Sequence, residues 1–168
     1  MTSRVSDEAL ITPNFSYHEF KCHCDGRYCD GYPEFIEQVE ETARHLQGLR
    51  DAISDDAGRE MPITIERGFS CPEYNLKHVV GSSDISHHLY DMWPLGEGGV
   101  DAYHRWRPDE TPLSHSEWLK RTLATMAQKA YELGWRGIKI YSGHVHLDRR
   151  RVPWLRNFEP REHIPIER

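Results

Sequence analysis

Gly137-Ile138-Lys139-Ile140-Tyr141-Ser142-Gly143-His144-Val145-His146-Leu147-Asp148 is the stretch on which the reading of this chain turns. Two runs of strand-forming residues flank a Ser-Gly pair, so residues 137–141 and 144–148 are expected as neighbouring strands joined by a tight turn. Side chains alternate along a strand. His144, His146 and Asp148 then share one face, while Val145 and Leu147 turn the other way, into a core. Either the polar face gathers three groups into a site, or the strand is the solvent-facing member of a surface hairpin.

Upstream, Ser114-His115-Ser116-Glu117 has the S-x-x-E capping-box pattern. Leu119, Leu123, Met126, Ala127 and Ala130 mark the apolar stripe of a long helix ending at Gly134. Residues 98–103 and 62–66 read as short strands, with a loop-rich stretch over about 67–98 between them. Pro33 opens another long helix, about residues 33–54, in which Phe35, Ile36, Val39, Ala43, Leu46, Leu49 and Ile53 recur mainly three and four apart. Ahead of it, residues 22–29 form a turn-rich segment with too much Gly and Asp to extend a helix or strand. Helices and short strands without regular alternation predict an α+β fold, a small antiparallel sheet packed with two long helices. It occupies residues 14–168, after a flexible N-terminal arm over residues 1–13.

At 168 residues the chain is expected to form one domain with a real core. Its net charge of −6 argues against a sequence-independent nucleic-acid binder, which needs clustered Lys and Arg to displace counterions. The one basic run, Arg149-Arg150-Arg151, is expected as a solvated strand end. No stretch approaches the roughly 18 apolar residues of a membrane span, and residues 1–8 lack the apolar core of an export signal. Synthesis in the cytoplasm, without self-export, is the expectation. The 11 histidines beside 27 carboxylates raise the prior for a metal, since imidazole and carboxylate are ligands that zinc prefers.

Spacing has to decide that question. Ser86-His87-His88 lies in a glycine-flanked loop and Val100-Asp101 in a strand. With His146 they complete a His, Asp, His set, the three protein ligands of a catalytic zinc with one position open. Surface exposure is the other reading of the two loop histidines. Cys22, Cys24, Cys29 and Cys71 could hold a structural zinc, form one or two disulfides, or stay as thiols; the tight spacing of the first three suits a metal best. His23 could replace one of the sulfurs.

The order of these motifs resembles the zinc D-alanyl-D-alanine carboxypeptidase and endopeptidase family, whose hedgehog-type fold is shared by related peptidoglycan amidohydrolases, and especially its compact phage-type members. That family shows S-x-H-x-x-G-x-A-x-D and later a strand bearing H-x-D after a G-I-x-x-Y segment. Here Ser86-His87-His88, Val100-Asp101, Gly137-Ile138-Lys139-Ile140-Tyr141 and His146-Leu147-Asp148 stand in that order. Asn14–Phe20 and Gly68–Asn75 also resemble family segments, and the similarity spans about residues 14–150. His88 and Asp101 are farther apart than in the family, with Asp91–Gly96 as the apparent insertion.

The resemblance implies a zinc-dependent peptidoglycan peptidase with His88, Asp101 and His146 as metal ligands. It acts on a stem or cross-link peptide containing D-alanine. Gly143 stands where many members carry a glutamate base, so His144 inherits that role, with Asp148 orienting an imidazole or pairing with a following arginine. The family's carboxylate-holding arginine has its counterpart in Arg67, unless a terminal carboxylate is not recognised. Ser86 supports the His88 loop. Apart from the resemblance, Trp93, Trp106, Trp135 and Trp154 could line a substrate groove or, as large aromatics more often do, pack in the core or rim; Trp93, in the inserted loop near His88, is the best placed for the groove. Such an enzyme would reach the wall as a lysis enzyme of a bacteriophage (an endolysin) or as part of a virion. The rival expectation is a non-catalytic peptidoglycan-binding or virion structural module that keeps the fold.

Overall fold

A computed structural model of the chain describes residues 9–22, 36–69, 99–104 and 114–161, the segment 99–104 by its backbone. In chain order these form β1 (Leu10–Thr12), β2 (Phe15–Ser16), a 3-10 turn (Tyr17–Phe20), α1 (Ile36–Ala57), β3 (Ile63–Arg67), β4 (Gly99–His104), α2 (His115–Glu132), β5 (Gly137–Ile140), β6 (Val145–Asp148) and β7 (Trp154–Arg156). The architecture is α+β. β1 and β2 make a small ribbon, and the other strands form a five-stranded sheet in the order β3-β4-β6-β5-β7. All its pairings are antiparallel except β5 with β7.

The helices form where the apolar spacing places them. Val39, Ala43, Leu46, Leu49 and Ile53 of α1, and Leu123, Met126, Ala127 and Ala130 of α2, are buried in one core with Ile138, Val145 and Leu147 of the sheet. The Ser114 hydroxyl accepts the Glu117 N–H at 3.3 Å and so caps α2. At its far end Gly134 takes φ +99°, while the Trp135 N–H returns to the Ala130 carbonyl at 3.0 Å. That closure ends the helix and drops Trp135, 1% exposed, into the core.

Several boundaries differ from expectation. The arm expected through residue 13 gives way at Leu10 to β1, because Thr12 donates its hydroxyl to Gln47 Oε1 at 2.9 Å and is thereby docked on α1. Local composition carries no sign of a partner 35 residues away. β7, which sequence did not suggest, exists because the Trp154 N–H donates to the Arg136 carbonyl at 2.8 Å as the chain crosses past the start of β5. Gly48 sits in the exposed middle of α1 with nothing within 4 Å of where a Cβ would lie. Gly48→Ala is therefore expected to stabilise the protein by about 0.5–1 kcal/mol, read as a rise of a few degrees in a thermal melt.

Candidate functional site

The register of the sheet lines up residues that are remote in sequence. Arg67 of β3 is the partner of Asp101 in β4, and Asp101 is the partner of His146 in β6. His146 in turn faces Lys139 of β5, and Lys139 faces Arg156 of β7. Arg67, Asp101 and His146 thus occupy one row across three adjacent strands. The neighbouring row reads Gly99, Asp148, Gly137, Trp154.

β6 is buried on both faces. Val145 and Leu147 enter the core, and His146 and Asp148 are also 0% exposed, which overturns the alternative of a solvent-facing hairpin strand. His146 Nε2 lies 2.9 Å from Asp148 Oδ2. Arg150 closes on the same carboxylate from the other side, with Nε 2.7 Å from Oδ1 and Nη2 2.6 Å from Oδ2, while its backbone N–H donates to Oδ1 at 3.1 Å. Asp148 bonds an imidazole and an arginine together, and the arginine pair is an interior one rather than the surface salt bridge expected. Gly137, its register partner on β5, makes this possible. A Cβ on Gly137 would fall inside the Asp148 carboxylate.

The basic run is not a solvated strand end. Arg149 and Arg150 side chains are 12% and 13% exposed, and only Arg151 stands in solvent. Alternation sends Arg149 to the opposite face from Arg150, where its Nη1 meets Glu41 Oε1 of α1 at 2.8 Å. Burial first, and then the Arg149 guanidinium, hold the nearby His45 imidazole below its ordinary value of 6.5. As pH falls the unfolded chain takes up this proton before the folded one does. The stability involved is complete above pH 6.5 and is lost below it, until the folded protein also protonates. His45→Gln is expected to flatten that part of the stability profile in urea titrations at successive pH values, modestly, because 48% of the side chain is exposed.

His144 precedes β6 and is held differently. Its carbonyl accepts the Tyr141 N–H at 2.9 Å, which closes the turn, and its ring stacks on Tyr141 at 4.4 Å. Nδ1 lies 3.2 Å from Glu66 Oε2. Glu66 reaches it because the register slips between Ile65 and Arg67, leaving Glu66 as the extra residue of a bulge, a device that re-aims side chains. Ile65, Glu66, Gly143 and His144 line an open cavity of about 240 Å³.

Sequence reasoning missed Glu66; it named Arg150 only as one of a run that could pair with Asp148 at the surface, and Trp154 only as one of several aromatics weighed for a groove. Arg150 was within reach, since i and i+2 share a strand face, whereas nothing local announces a bulge that joins positions 66 and 144. Trp154 meets the His146 ring edge-on at 6.0 Å and carries the Arg150 guanidinium at 4.5 Å.

Ser86, His88, Trp93, Cys24, Cys29 and Cys71 lie outside the described residues, and Asp101 is placed by its backbone. Among the described residues no group of three or more His, Cys, Asp or Glu could hold a metal ion, and no helix is long and apolar enough to cross a membrane. Cys22 is described. It follows Phe20, whose carbonyl accepts the Phe69 N–H at 2.9 Å, so the segment ending at Cys22 runs beside the one leading toward Cys71. Comparison of the chain with family models, curated proteins and solved structures finds no match.

Proposed function

We propose that this protein is a zinc-dependent peptidase of the hedgehog type that hydrolyses a D-alanine-containing peptide bond of peptidoglycan. One observation carries the reading. Arg67, Asp101 and His146, singled out in sequence for a substrate carboxylate and a metal, share one register row on three adjacent strands. The donor chemistry fits zinc: His146 is a buried imidazole whose Nε2 is bonded to a carboxylate, the support that zinc-ligating histidines commonly have. Asp101 occupies the opposed position, and His88 would complete the set. When bound there, zinc supplies a Lewis acid and a water of lowered pKa.

The chain's own groups do the rest. With Nδ1 engaged by Glu66, His144 presents Nε2 as its basic nitrogen and can take a proton from the attacking water and return it to the leaving amine. Tyr141 fixes the plane of that ring. Arg67, at the end of the row, would pair with a carboxylate of the stem peptide. Cys22, with Cys24, Cys29 and Cys71, is read as a structural metal site that ties the segment after Phe20 to the segment after Phe69.

The test is metal analysis of a variant with all four cysteines replaced, together with digestion of purified cell walls. About one zinc per chain and release of peptide fragments are expected. A variant without bound zinc defeats the enzyme reading, and wall binding without digestion favours the non-catalytic module. Glu66→Gln is expected to lower kcat about tenfold or more with little change in KM, as loss of an imidazole's orienting carboxylate does.

A further inference from the structure

We propose that Arg150 is a positioning residue for His146. Acting through Asp148, it fixes which ring nitrogen carries the proton, holding the imidazole as the Nε2–H tautomer with the lone pair on Nδ1. The inference deepens the metal reading, and it rests on that reading only for the use to which the lone pair is put.

An ionised carboxylate only accepts hydrogen bonds, so whichever imidazole nitrogen meets it must be the donor. Asp148 meets Nε2 at 2.9 Å. At 0% exposure a carboxylate without a cation would be costly to keep ionised, and Arg150 supplies that cation in the forked geometry that engages both oxygens. The fork also removes the carboxylate's rotational freedom. With Oδ1 taken by Nε and Oδ2 shared between Nη2 and the imidazole, Asp148 cannot turn away from His146 without breaking the fork.

Further contacts brace the assembly. Gly137 leaves the space that the carboxylate fills. Trp154 packs edge-on against the imidazole at an interplanar angle of 90° and carries the guanidinium on its ring. His146, Asp148, Arg150 and Trp154 therefore form a closed circuit in which each group touches the next, all supplied by nine consecutive positions, 146–154. A lysine at 150 would keep the charge but lose the fork.

Long-range proton–nitrogen NMR correlations on the ¹⁵N-labelled, metal-free protein read the tautomer directly. Wild-type His146 is expected to show a protonated Nε2 and an unprotonated Nδ1. Arg150→Gln should give a mixture of tautomers, and Arg150→Lys an intermediate one. A wild-type ring protonated on Nδ1 overturns the proposal, as does an Arg150→Gln or Arg150→Lys protein that is less stable yet keeps the pure Nε2–H form. The wild-type spectrum and the lysine variant keep the test decisive if the glutamine variant does not fold. Cobalt(II) titration adds a second readout, with about tenfold weaker binding expected in Arg150→Gln. A wild-type protein that shows the Nε2–H form but binds no cobalt upholds the positioning role and defeats the peptidase reading.

Discussion

Gly137→Ala is expected to cost about 3–5 kcal/mol of stability, the range for breaking a buried charge pair, and to lower the melting temperature by about 10 °C. The added methyl would occupy the place of the Asp148 carboxylate. Either the carboxylate leaves, abandoning Arg150 and His146 in the interior, or β5 and β6 part at the Gly137–Asp148 pairing. Neither escape is cheap, because Asp148 is 0% exposed, forked by Arg150 and bonded to a fully buried imidazole. Urea unfolding of Gly137→Ala beside Gly143→Ala checks the argument, since a Cβ on Gly143 meets nothing within 4 Å. Equal midpoints for the two variants would show that the carboxylate is not held where described.

His146→Ala should have the largest effect on activity and a smaller one on stability. With the cysteines replaced, zinc content is expected to fall from about one per chain to none, and wall digestion to background. The fold should survive, because Asp148 keeps its forked pair with Arg150 when the imidazole is gone. A cost of about 1–3 kcal/mol, that of a lost buried hydrogen bond and a small cavity, is the expectation from urea unfolding. Digestion that persists in a well-folded His146→Ala protein would remove the metal assignment of this residue.

The parts of the fold legible in sequence were those with a short period. Apolar steps of three and four placed both helices, the C-terminal end of α1 and both ends of α2 falling within about three residues of expectation, and Ser142-Gly143 marked the hairpin. Alternation put His146 and Asp148 on one face, which they share. What failed were inferences that needed tertiary knowledge. Arg149 and Arg150 look like a solvated run because charge alone cannot reveal Glu41 on one side and Asp148 on the other. The pairing of Glu66 with His144 depends on a slip in register, and β1 on a glutamine in the middle of α1. The row joining Arg67, Asp101 and His146 lies between these cases. Metal-ligand chemistry pointed to Asp101 and His146 and the motif resemblance to Arg67, but only strand pairing could make them neighbours.

The sheet is also divided in the distances along the chain that its pairings span. Gly137 to Asp148 and Gly137 to Trp154 close over 11 and 17 positions, whereas Arg67 to Asp101 spans 34 and Asp101 to His146 spans 45. Loop-closure entropy rises with such separations, so β5, β6 and β7 can assemble early as a local nucleus and receive β4 and β3 afterwards on the free edge of β6. In that order of events the strand bearing Asp101 pairs with a strand whose histidine already has its surroundings built.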